Sequence, residues 1–371
     1  MVERNPKVRT LAIVGLGLMG GSVGMAAIER GLAERVVGFD LDPSSVGRAL
    51  ERKAITVGAG SLAAAVAEAD LVFLATPVRS IAAVFAEAAP HLPAGCVVTD
   101  VGSTKGGVVD AVSRSAPDSI HFIGGHPMAG SEKDGIEAAT ADLYEGCLWI
   151  LTPTESTSSE VYGGLMRFLT GLGARVLSLH PGRHDEALAL TSHLPQLLSS
   201  TLMGFAADVA NSGEGLPLLT AGGFRDMTRI AASSPDLWVD IVRENQPALA
   251  ALVRRFQETL GEAADALENG DWYRLRSMLS EARRARHDLP GKPGLRPGDL
   301  VEVLIPVPDR PGVLAEVTTT VGEAGVNIED LNIVHSVEGG RGVIHLTISG
   351  DADARTAAGA LAKKGYETEL D

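Results

Sequence analysis

Short apolar runs alternate with helical patterns over the first 180 residues of the chain. The run Leu11 to Val14 precedes a glycine-rich turn and a helix of small residues, and a second run, Val36 to Phe39, follows. The stretches ADLVFLATPV, GCVVTDVGSTKG and SIHFIGGHPMAG repeat the alternation, and CLWILTP and ARVLSLHP add two more strands. Strands that alternate with helices predict a mostly parallel, doubly wound α/β sheet of the Rossmann type, covered by helices.

The pattern changes to long amphipathic helices between Gly182 and about His287. The segment Ser234-Pro235-Asp236 is a good helix start, because proline is tolerated in the first turn. Pro195 stands inside another helical pattern, where the missing N–H predicts a kink close to His193. Long helices in a segment with few strands usually bury one face against a large partner. We therefore expect this all-α domain to dimerise with a second copy.

The C-terminal segment predicts a small α+β module in which strand, helix, strand, strand, helix and strand follow one another (βαββαβ). The linker HDLPGKPGLRPG precedes it, and the turn DRPG opens its first helix. We expect Asn327 to start the second strand, RGVIHLTIS to form the third, and Ala352 to Lys364 to form the second helix. Compact modules of this kind usually pair their sheets across two chains.

These patterns predict three domains and one linker. They are a dinucleotide-binding domain at 1–180, a helical substrate and dimerisation domain at 181–288, a linker at 289–298 and a regulatory module at 299–371.

Composition narrows the possible partners. The net charge is −15 over 371 residues, and no basic stripe interrupts it, so a nucleic-acid partner is not expected. An anionic substrate would need local arginines. Cys96 and Cys147 stand in apolar strand-like runs and are interpreted as packing residues, and no cysteine and histidine spacing suggests a metal. The polar N-terminus lacks a signal peptide and no run is long enough to cross a membrane, so we expect a cytoplasmic protein.

The glycine-rich turn carries a dinucleotide fingerprint. Gly15 permits the tight turn, Gly17 lets the backbone approach a pyrophosphate, and Gly20 lets the helix pack against the sheet. Asp40, twenty residues past Gly20, would accept hydrogen bonds from ribose hydroxyls and repel a 2′-phosphate, which favours NAD over NADP. The residues expected to line the cofactor are Gly15, Gly17, Leu18, Met19, Gly20, Asp40, Thr76 and Pro77.

Three other segments carry candidate chemistry. Ser103 and His126 follow predicted strands, at the sheet edge where ligands bind, although a histidine in a glycine-rich segment can also be an ordinary turn residue. Arg225 and Arg229 stand four apart on one helical face, a like-charge pair that is mildly unfavourable unless an anion or Asp226 offsets it. Taken alone, these arginines fit a solvated face as well as a site.

Taken together, GGHPMAGSE, SHLP, GGFRDMTRIA and DRPGVL make the chain resemble the prephenate dehydrogenases of the TyrA type followed by an ACT domain, over essentially its whole length. The resemblance implies oxidative decarboxylation of prephenate to 4-hydroxyphenylpyruvate with NAD reduction, in tyrosine biosynthesis. It also implies an aromatic amino-acid effector, L-tyrosine or L-phenylalanine, that binds where two C-terminal modules pair. The effector-binding residues implied are Asp309, Pro311, Gly312 and Asn327.

The resemblance also assigns roles to single residues. His126 matches the catalytic histidine that accepts the hydrogen bond of the ring hydroxyl, and Ser103 matches a serine near that hydroxyl and the nicotinamide. Arg229 matches the arginine that binds the substrate carboxylate, with Arg225 in support. His193 matches a histidine near the substrate side chain, and Glu132 an acidic gate residue. One departure is Gln196, which follows SHLP where some relatives have histidine.

A neutral imidazole suits the role of a base during oxidation of the ring alcohol, and a bidentate guanidinium suits a dianionic substrate in an acidic protein. Arogenate dehydrogenase stays open as an alternative, because the ammonium of arogenate would want an extra acid and Glu132 is a candidate. An alternative of another class is a non-catalytic regulator that senses NAD and an amino acid. A 3-hydroxyacid dehydrogenase would place a catalytic lysine on the helical domain, and SHLPQ supplies none.

Overall fold

The N-terminal part of the chain folds around an eight-stranded sheet. The computed structural model describes residues 8–130, 135–211, 222–287, 300–308, 310–335 and 341–370. The chain divides into two compact units, Met1–Glu258 and Thr259–Asp371. The strands of the first unit are β1 Val8–Val14, β2 Ala33–Phe39, β3 Val57–Gly58, β4 Leu71–Leu74, β5 Val97–Asp100, β6 His121–Pro127, β7 Leu148–Thr152 and β8 Arg175–Ser178. Their order in the sheet is β3-β2-β1-β4-β5-β6-β7-β8.

The pairings in this sheet are parallel except between β6 and β7, which run antiparallel. This confirms the predicted, mostly parallel sheet. Alternate residues of β1 enter two separate cores, Leu11 and Ile13 on one face and Ala12 and Val14 on the other. A strand buried on both faces is therefore apolar throughout, as its sequence predicts. The helices that accompany these strands are α1 Leu18–Glu29, α2 Pro43–Glu51, α3 Leu62–Val66, α4 Val78–Ala88, α5 Gly106–Ser115 and α6 Ser159–Gly171.

Helices dominate the chain beyond the sheet. They are α7 Pro181–Leu188, α8 Leu194–Asn211, α9 Gly222–Thr228, α10 Pro235–Glu244, α11 Gln246–Glu268 and α12 Trp272–His287. The kink predicted at Pro195 is a wide π turn over Ala189–His193, which is how a helix accommodates the missing N–H and the ring of a proline. Pro235 begins α10, as predicted. The long amphipathic stretch that begins at Pro235 nevertheless forms two helices, α10 and α11, because the backbone leaves helical geometry at Asn245, with φ −110° and ψ 22°.

The second unit contains a four-stranded antiparallel sheet with two helices. Its strands are β9 Leu300–Pro308, β10 Asp330–His335, β11 Arg341–Ser349 and β12 Glu369–Leu370, its sheet helices are α13 Val313–Glu323 and α14 Asp351–Lys363, and the strand order is β10-β11-β9-β12. The βαββαβ module is confirmed. The prediction that Asn327 starts the second strand is wrong by three residues. Asn327 bonds the side chain of Glu329 at 2.6 Å, and pairing with the next strand begins where the Glu329 N–H donates to Thr347 at 2.8 Å.

Two features are absent from the described ranges. No helix in them combines the length and the apolar composition that a bilayer crossing needs. Nor do these ranges hold a group of three or more histidine, cysteine, aspartate or glutamate side chains placed to ligate a metal.

Candidate active site

The turn between β1 and α1 can be built only from glycine at two of its three fingerprint positions. Gly15 has φ +96°, and a Cβ there would lie 2.4 Å from the carbonyl oxygen of Ala75. A Cβ on Gly20 would lie 2.0 Å from the carbonyl oxygen of Gly15. A Cβ on Gly17 would meet no protein atom within 4 Å, so the space at that point is open to a ligand. Gly17 also caps α1, whose first residues, Leu18 and Met19, are half-buried.

Asp40 and Thr76 flank this turn. The Asp40 carboxylate accepts hydrogen bonds from the N–H of Leu16 at 2.7 Å and of Asp42 at 2.9 Å, which fixes it at the end of β2. Thr76 follows β4, and its buried hydroxyl has no hydrogen-bond partner in the described structure. Pro77, next to it, is exposed and caps α4. Open space above a glycine turn, a fixed carboxylate and an orphaned hydroxyl are what a dinucleotide requires, so the residues fit that cofactor.

The glycines that precede His126 are also required by packing. A Cβ on Gly124 would lie 2.4 Å from the hydroxyl of Thr152, and one on Gly125 would lie 2.6 Å from the carbonyl oxygen of Asp100. Both positions belong to β6, which ends one residue beyond His126. The GGH sequence is therefore a strand pressed closely against its neighbours, and the interpretation of His126 as a turn residue is wrong.

His126 begins a hydrogen-bonded chain of three side chains. Its Nδ1 lies 2.8 Å from Nε2 of His184, and Nδ1 of His184 lies 2.7 Å from Oδ1 of Asp185. All three side chains are buried, with His126 8% and His184 0% exposed. His184 and Asp185 belong to α7, the first helix after the sheet. We call His126, His184 and Asp185 the relay.

Asp185 is held by the backbone as well as by the relay. Its carboxylate accepts the N–H of Lys105 and of Gly106, each at 2.8 Å, at the beginning of α5. Burial raises the pKa of Asp185, but the hydrogen bonds from His184 and from these two N–H groups outweigh it, so its pKa is lowered. The carboxylate therefore remains ionised and accepts a hydrogen bond from the N–H at Nδ1 of His184.

The hydrogen bonds fix which nitrogen of His126 is free. Because an ionised carboxylate can only accept, Nδ1 of His184 carries a hydrogen and its Nε2 is an acceptor. Nδ1 of His126 must then donate to that acceptor, which leaves Nε2 of His126 with a lone pair. Burial is the largest cause that lowers the pKa of His126 well below its usual value. The arrangement yields a neutral imidazole ready to accept a proton.

A buried ion pair between Lys105 and Asp100 contacts strand β6, which carries His126. Nζ of Lys105 contacts the carboxylate of Asp100 and donates to the carbonyl of Gly125 at 2.8 Å, and both charged side chains are 0% exposed. Asp100 also accepts the N–H of Gly125 at 3.0 Å. Burial lowers the pKa of Lys105, and the attraction of Asp100 opposes this effect. The pair fixes the backbone of the residue next to His126.

His193 occupies the π turn and is 1% exposed. Its Nδ1 lies 3.1 Å from Nδ2 of Asn245, which also donates to the carbonyl of Asp185 at 2.8 Å. The ring meets Trp238 edge-on, with centroids 6.1 Å apart. Asn245 therefore connects His193 to Asp185, the end of the relay that begins at His126. The structure thus brings two of the predicted residues, His126 and His193, into one buried cluster.

The other predicted residues lie less deeply. Ser103 is half-buried in the loop after β5, and no hydrogen bond joins it to His126 in the described structure. Arg225 and Arg229 are both exposed. They do not share one helical face as expected, because α9 stops at Thr228 and Arg229 begins a 3-10 turn. Among the described residues, none forms an ion pair with Arg229. Glu132 lies outside the described residues.

Gln196 connects helix α8 to that 3-10 turn. Its Nε2 donates to the carbonyl of Ile230 at 3.0 Å, one residue after Arg229. The buried Oε1 of Gln196 and the hydroxyl of Ser199 have no partner in the part of the chain that the structure describes. Nε2 of Gln196 therefore holds the 3-10 turn Arg229–Ala232, which we call the arginine turn, while Oε1 remains available as an acceptor.

Several of these groups were not predicted as site residues from the sequence. They are His184, Asp185, Asn245 and the Asp100–Lys105 pair. The signal for the first two was an adjacent histidine and aspartate at the start of the helix that follows the last strand, HDEALAL. No such signal marks Asn245, which stands 52 residues from its partner His193.

The second unit has a small cavity beside the predicted effector residues. It encloses about 90 Å³ and is lined by apolar side chains and by Arg310. Gly312 has φ +91° and caps α13, and Pro311 precedes it. Asn327 lies in the loop after α13, and Asp309 is outside the described residues.

Three family models match the chain. They are the nucleotide-binding domain of prephenate dehydrogenase over residues 23–178, the dimerization domain of prephenate dehydrogenase over 180–281 and the ACT domain over 301–365. A prephenate dehydrogenase of Bacillus subtilis is 32% identical over 97% of this chain and 97% of its own length.

Solved structures agree with these matches. A prephenate dehydrogenase from A. aeolicus, in complex with hydroxyphenyl propionate and NAD⁺, is 30% identical, with a TM-score of 0.69 over 76% of this chain and 99% of its own. A Synechocystis arogenate dehydrogenase is also 30% identical, with a TM-score of 0.65 over 75% of this chain and 98% of its own.

Proposed function

The chain belongs to the prephenate dehydrogenase family, and on that basis we propose that it oxidatively decarboxylates prephenate to 4-hydroxyphenylpyruvate in tyrosine biosynthesis. It is an NAD-dependent enzyme of this family, followed by an ACT domain. The observation that carries the proposal is the relay, which places an unprotonated Nε2 of His126 at the carboxyl edge of a dinucleotide-binding sheet.

The glycine turn, Asp40 and Thr76 would hold NAD, which when bound would supply the acceptor for the hydride from the ring carbon that bears the hydroxyl. Nε2 of His126 accepts the hydroxyl proton as the carbonyl forms at that carbon. The positive charge that develops on His126 is offset by the Asp185 carboxylate at the far end of the relay. Loss of the ring carboxylate as CO₂ leaves its electron pair in the ring, and His126 returns the proton to the phenolate oxygen. The proton balance then closes on His126.

We propose that Arg229 holds a carboxylate of the substrate. An exposed guanidinium without an ion-pair partner among the described residues is available to an anion, and Arg225 adds a second cation nearby. Ser103, in the loop beside the relay, is proposed to contact the ring hydroxyl, and Glu132 to act at the entrance.

A crossed assay tests this function: prephenate and arogenate, each with NAD and NADP, followed by NADH or NADPH absorbance. We expect turnover with prephenate and NAD. If neither substrate yields NADH or NADPH, the result would favour the alternative of a non-catalytic regulator that senses NAD and an amino acid.

Arogenate is the second candidate substrate. The Synechocystis relative of similar structure is an arogenate dehydrogenase. Oε1 of Gln196, which has no partner among the described residues, could accept a hydrogen bond from an ammonium group. A higher kcat/KM for arogenate than for prephenate in the crossed assay would select it.

We also propose feedback regulation through the C-terminal module, with L-tyrosine as effector. The cavity lined by Arg310, next to Pro311 and Gly312, supports this site. Asn327 and Asp309 are proposed as further effector-binding residues. A chain that ends at residue 298 should keep turnover and lose inhibition by tyrosine. Unchanged inhibition of that truncated chain would instead indicate direct competition at the active site.

We further propose a cytoplasmic homodimer with the domain bounds 1–180, 181–288 and 299–371. The matching dimerization model and the exposed apolar side chains of the helical segment, such as Phe205, Leu237 and Val239, support self-association. Cys96 and Cys147 are free thiols, as expected in a reducing compartment. Sedimentation equilibrium should give twice the mass of one chain.

A further inference from the structure

Asn245 makes the most informative contact that the mechanism above does not use. It lies at the break between α10 and α11 and is 4% exposed. Its Nδ2 lies 2.8 Å from the carbonyl oxygen of Asp185 and 3.1 Å from Nδ1 of His193. It therefore joins the backbone of the relay carboxylate to the second histidine of the cluster.

The carbonyl of Asp185 decides which way the amide of Asn245 faces. A carbonyl oxygen can only accept, so the NH₂ group, and not Oδ1, must face it. One hydrogen of that NH₂ group is then used by Asp185, and the other is directed at Nδ1 of His193. Nδ1 of His193 must be the acceptor, and the ring hydrogen must reside on Nε2.

The surroundings keep His193 neutral. Burial lowers the pKa of His193 to about 4, although the charge of Asp185 opposes this effect. A neutral ring with a fixed acceptor at Nδ1 presents an N–H donor at Nε2. Asn245 connects this ring to Asp185, the carboxylate end of the relay that begins at His126. The donor therefore belongs to the cluster that contains the proposed base.

We propose that Asn245 is a positioning residue that sets substrate choice by locking His193 as an Nε2–H donor. A fixed donor favours a 2-oxo acid, whose side-chain oxygens accept hydrogen bonds, over the matching amino acid, whose ammonium group can only donate. The inference rests on the proposed function and specifies which of its two candidate substrates the site prefers.

The first measurement reads the tautomer directly. Full-length enzyme with saturating NAD and ¹⁵N-labelled histidine is studied by NMR, and the His193 signals are assigned by their absence in His193→Gln. We expect an unprotonated Nδ1 and a protonated Nε2. In Asn245→Asp the carboxylate can only accept, so Nδ1 should become protonated. A protonated Nδ1 in the wild-type protein would overturn the lock, whatever the enzyme oxidises.

The second measurement is the ratio of kcat/KM for prephenate to that for arogenate. Asn245→Leu keeps the shape of the side chain and removes both donors, and we expect the ratio to fall about 10- to 100-fold. Asn269→Leu is the matched control, because Asn269 donates to the carbonyl of Asp265 at 2.7 Å outside the histidine cluster, and its ratio should not change.

The outcomes separate the two hypotheses. If the wild-type enzyme oxidises neither substrate, the proposed function fails while the NMR result still tests the lock. An unchanged ratio in Asn245→Leu would overturn the role of Asn245 in substrate choice. A wild-type preference for arogenate would overturn it too, and would point to Oε1 of Gln196 as the dominant group.

Discussion

Replacing Asp185 with asparagine tests the relay most directly. The two hydrogen bonds of 2.8 and 2.7 Å join His126 to Asp185 through one imidazole ring. The separation of the ends is thus on the order of 7 Å, and Coulomb's law with an effective dielectric constant of about 20 gives roughly 2.4 kcal/mol between a carboxylate and a protonated His126. That energy corresponds to a fall in kcat of about 50-fold. Asp185 also fixes the hydrogen of His184 on Nδ1, and loss of that constraint would lower kcat further.

The same change should alter the pH profile in a defined direction. His126 acts when it is unprotonated, and burial already lowers its pKa well below the usual value. The carboxylate favours the protonated form of His126, so its removal lowers that pKa further. The acidic limb of kcat should therefore move to lower pH in Asp185→Asn while kcat at the plateau falls. Stopped-flow or steady-state NADH absorbance across the pH range measures both quantities.

The matched control is Asp142→Asn, which removes a carboxylate whose side chain is 76% exposed and bonded to Arg30. Its kcat and pH profile should remain those of the wild type. Asparagine at 185 also places a donor against the N–H of Lys105 or Gly106, so thermal unfolding is recorded in parallel. A folded Asp185→Asn enzyme with wild-type kcat, or with an acidic limb moved to higher pH, would refute the relay.

Three further substitutions test the remaining groups. His126→Asn should lower kcat about 10²- to 10⁴-fold with little change in KM, and near-normal turnover would remove its role as the base. Arg229→Ala should chiefly raise the KM for prephenate, whereas a collapse of kcat at constant KM would contradict carboxylate binding. Lys105→Met leaves the Asp100 carboxylate buried without its partner. It should lower the free energy of unfolding by about 3–5 kcal/mol in denaturant titrations, and a loss below 1 kcal/mol would show that the pair is dispensable.

Sequence reasoning succeeded where the physical cause is local. The glycine turn is specified by the sterics of the positions that Gly15 and Gly20 occupy, and the π turn by Pro195, so both could be predicted from neighbouring residues. Asn327 was misplaced because its side-chain bond to Glu329 delays the strand, and no periodic pattern reports such a bond.

The relay could not be predicted in the same way. His184 reaches His126 across 58 residues, and Asn245 reaches Asp185 across 60. Contacts of this kind depend on how the helical segment docks against the sheet. The adjacent His184 and Asp185 have no unusual spacing, so they look like an ordinary polar helix start until α7 is placed against the beginning of α5.

The placement of Asp185 also determines which part of the site can adapt to its substrate. Its carboxylate ties α7 to the backbone of Lys105 and Gly106, while Lys105 ties the same loop to Asp100 and to β6. Movement of β6, which carries His126, relative to α7 would break several buried hydrogen bonds at once, each costing about 1–3 kcal/mol. Arg229, by contrast, is exposed in a short 3-10 turn that Gln196 holds through one side-chain hydrogen bond. The physical expectation is a rigid proton-transfer apparatus, with adjustment to the organic acid confined to the arginine turn. Substitutions at Gln196 should therefore change KM more than kcat.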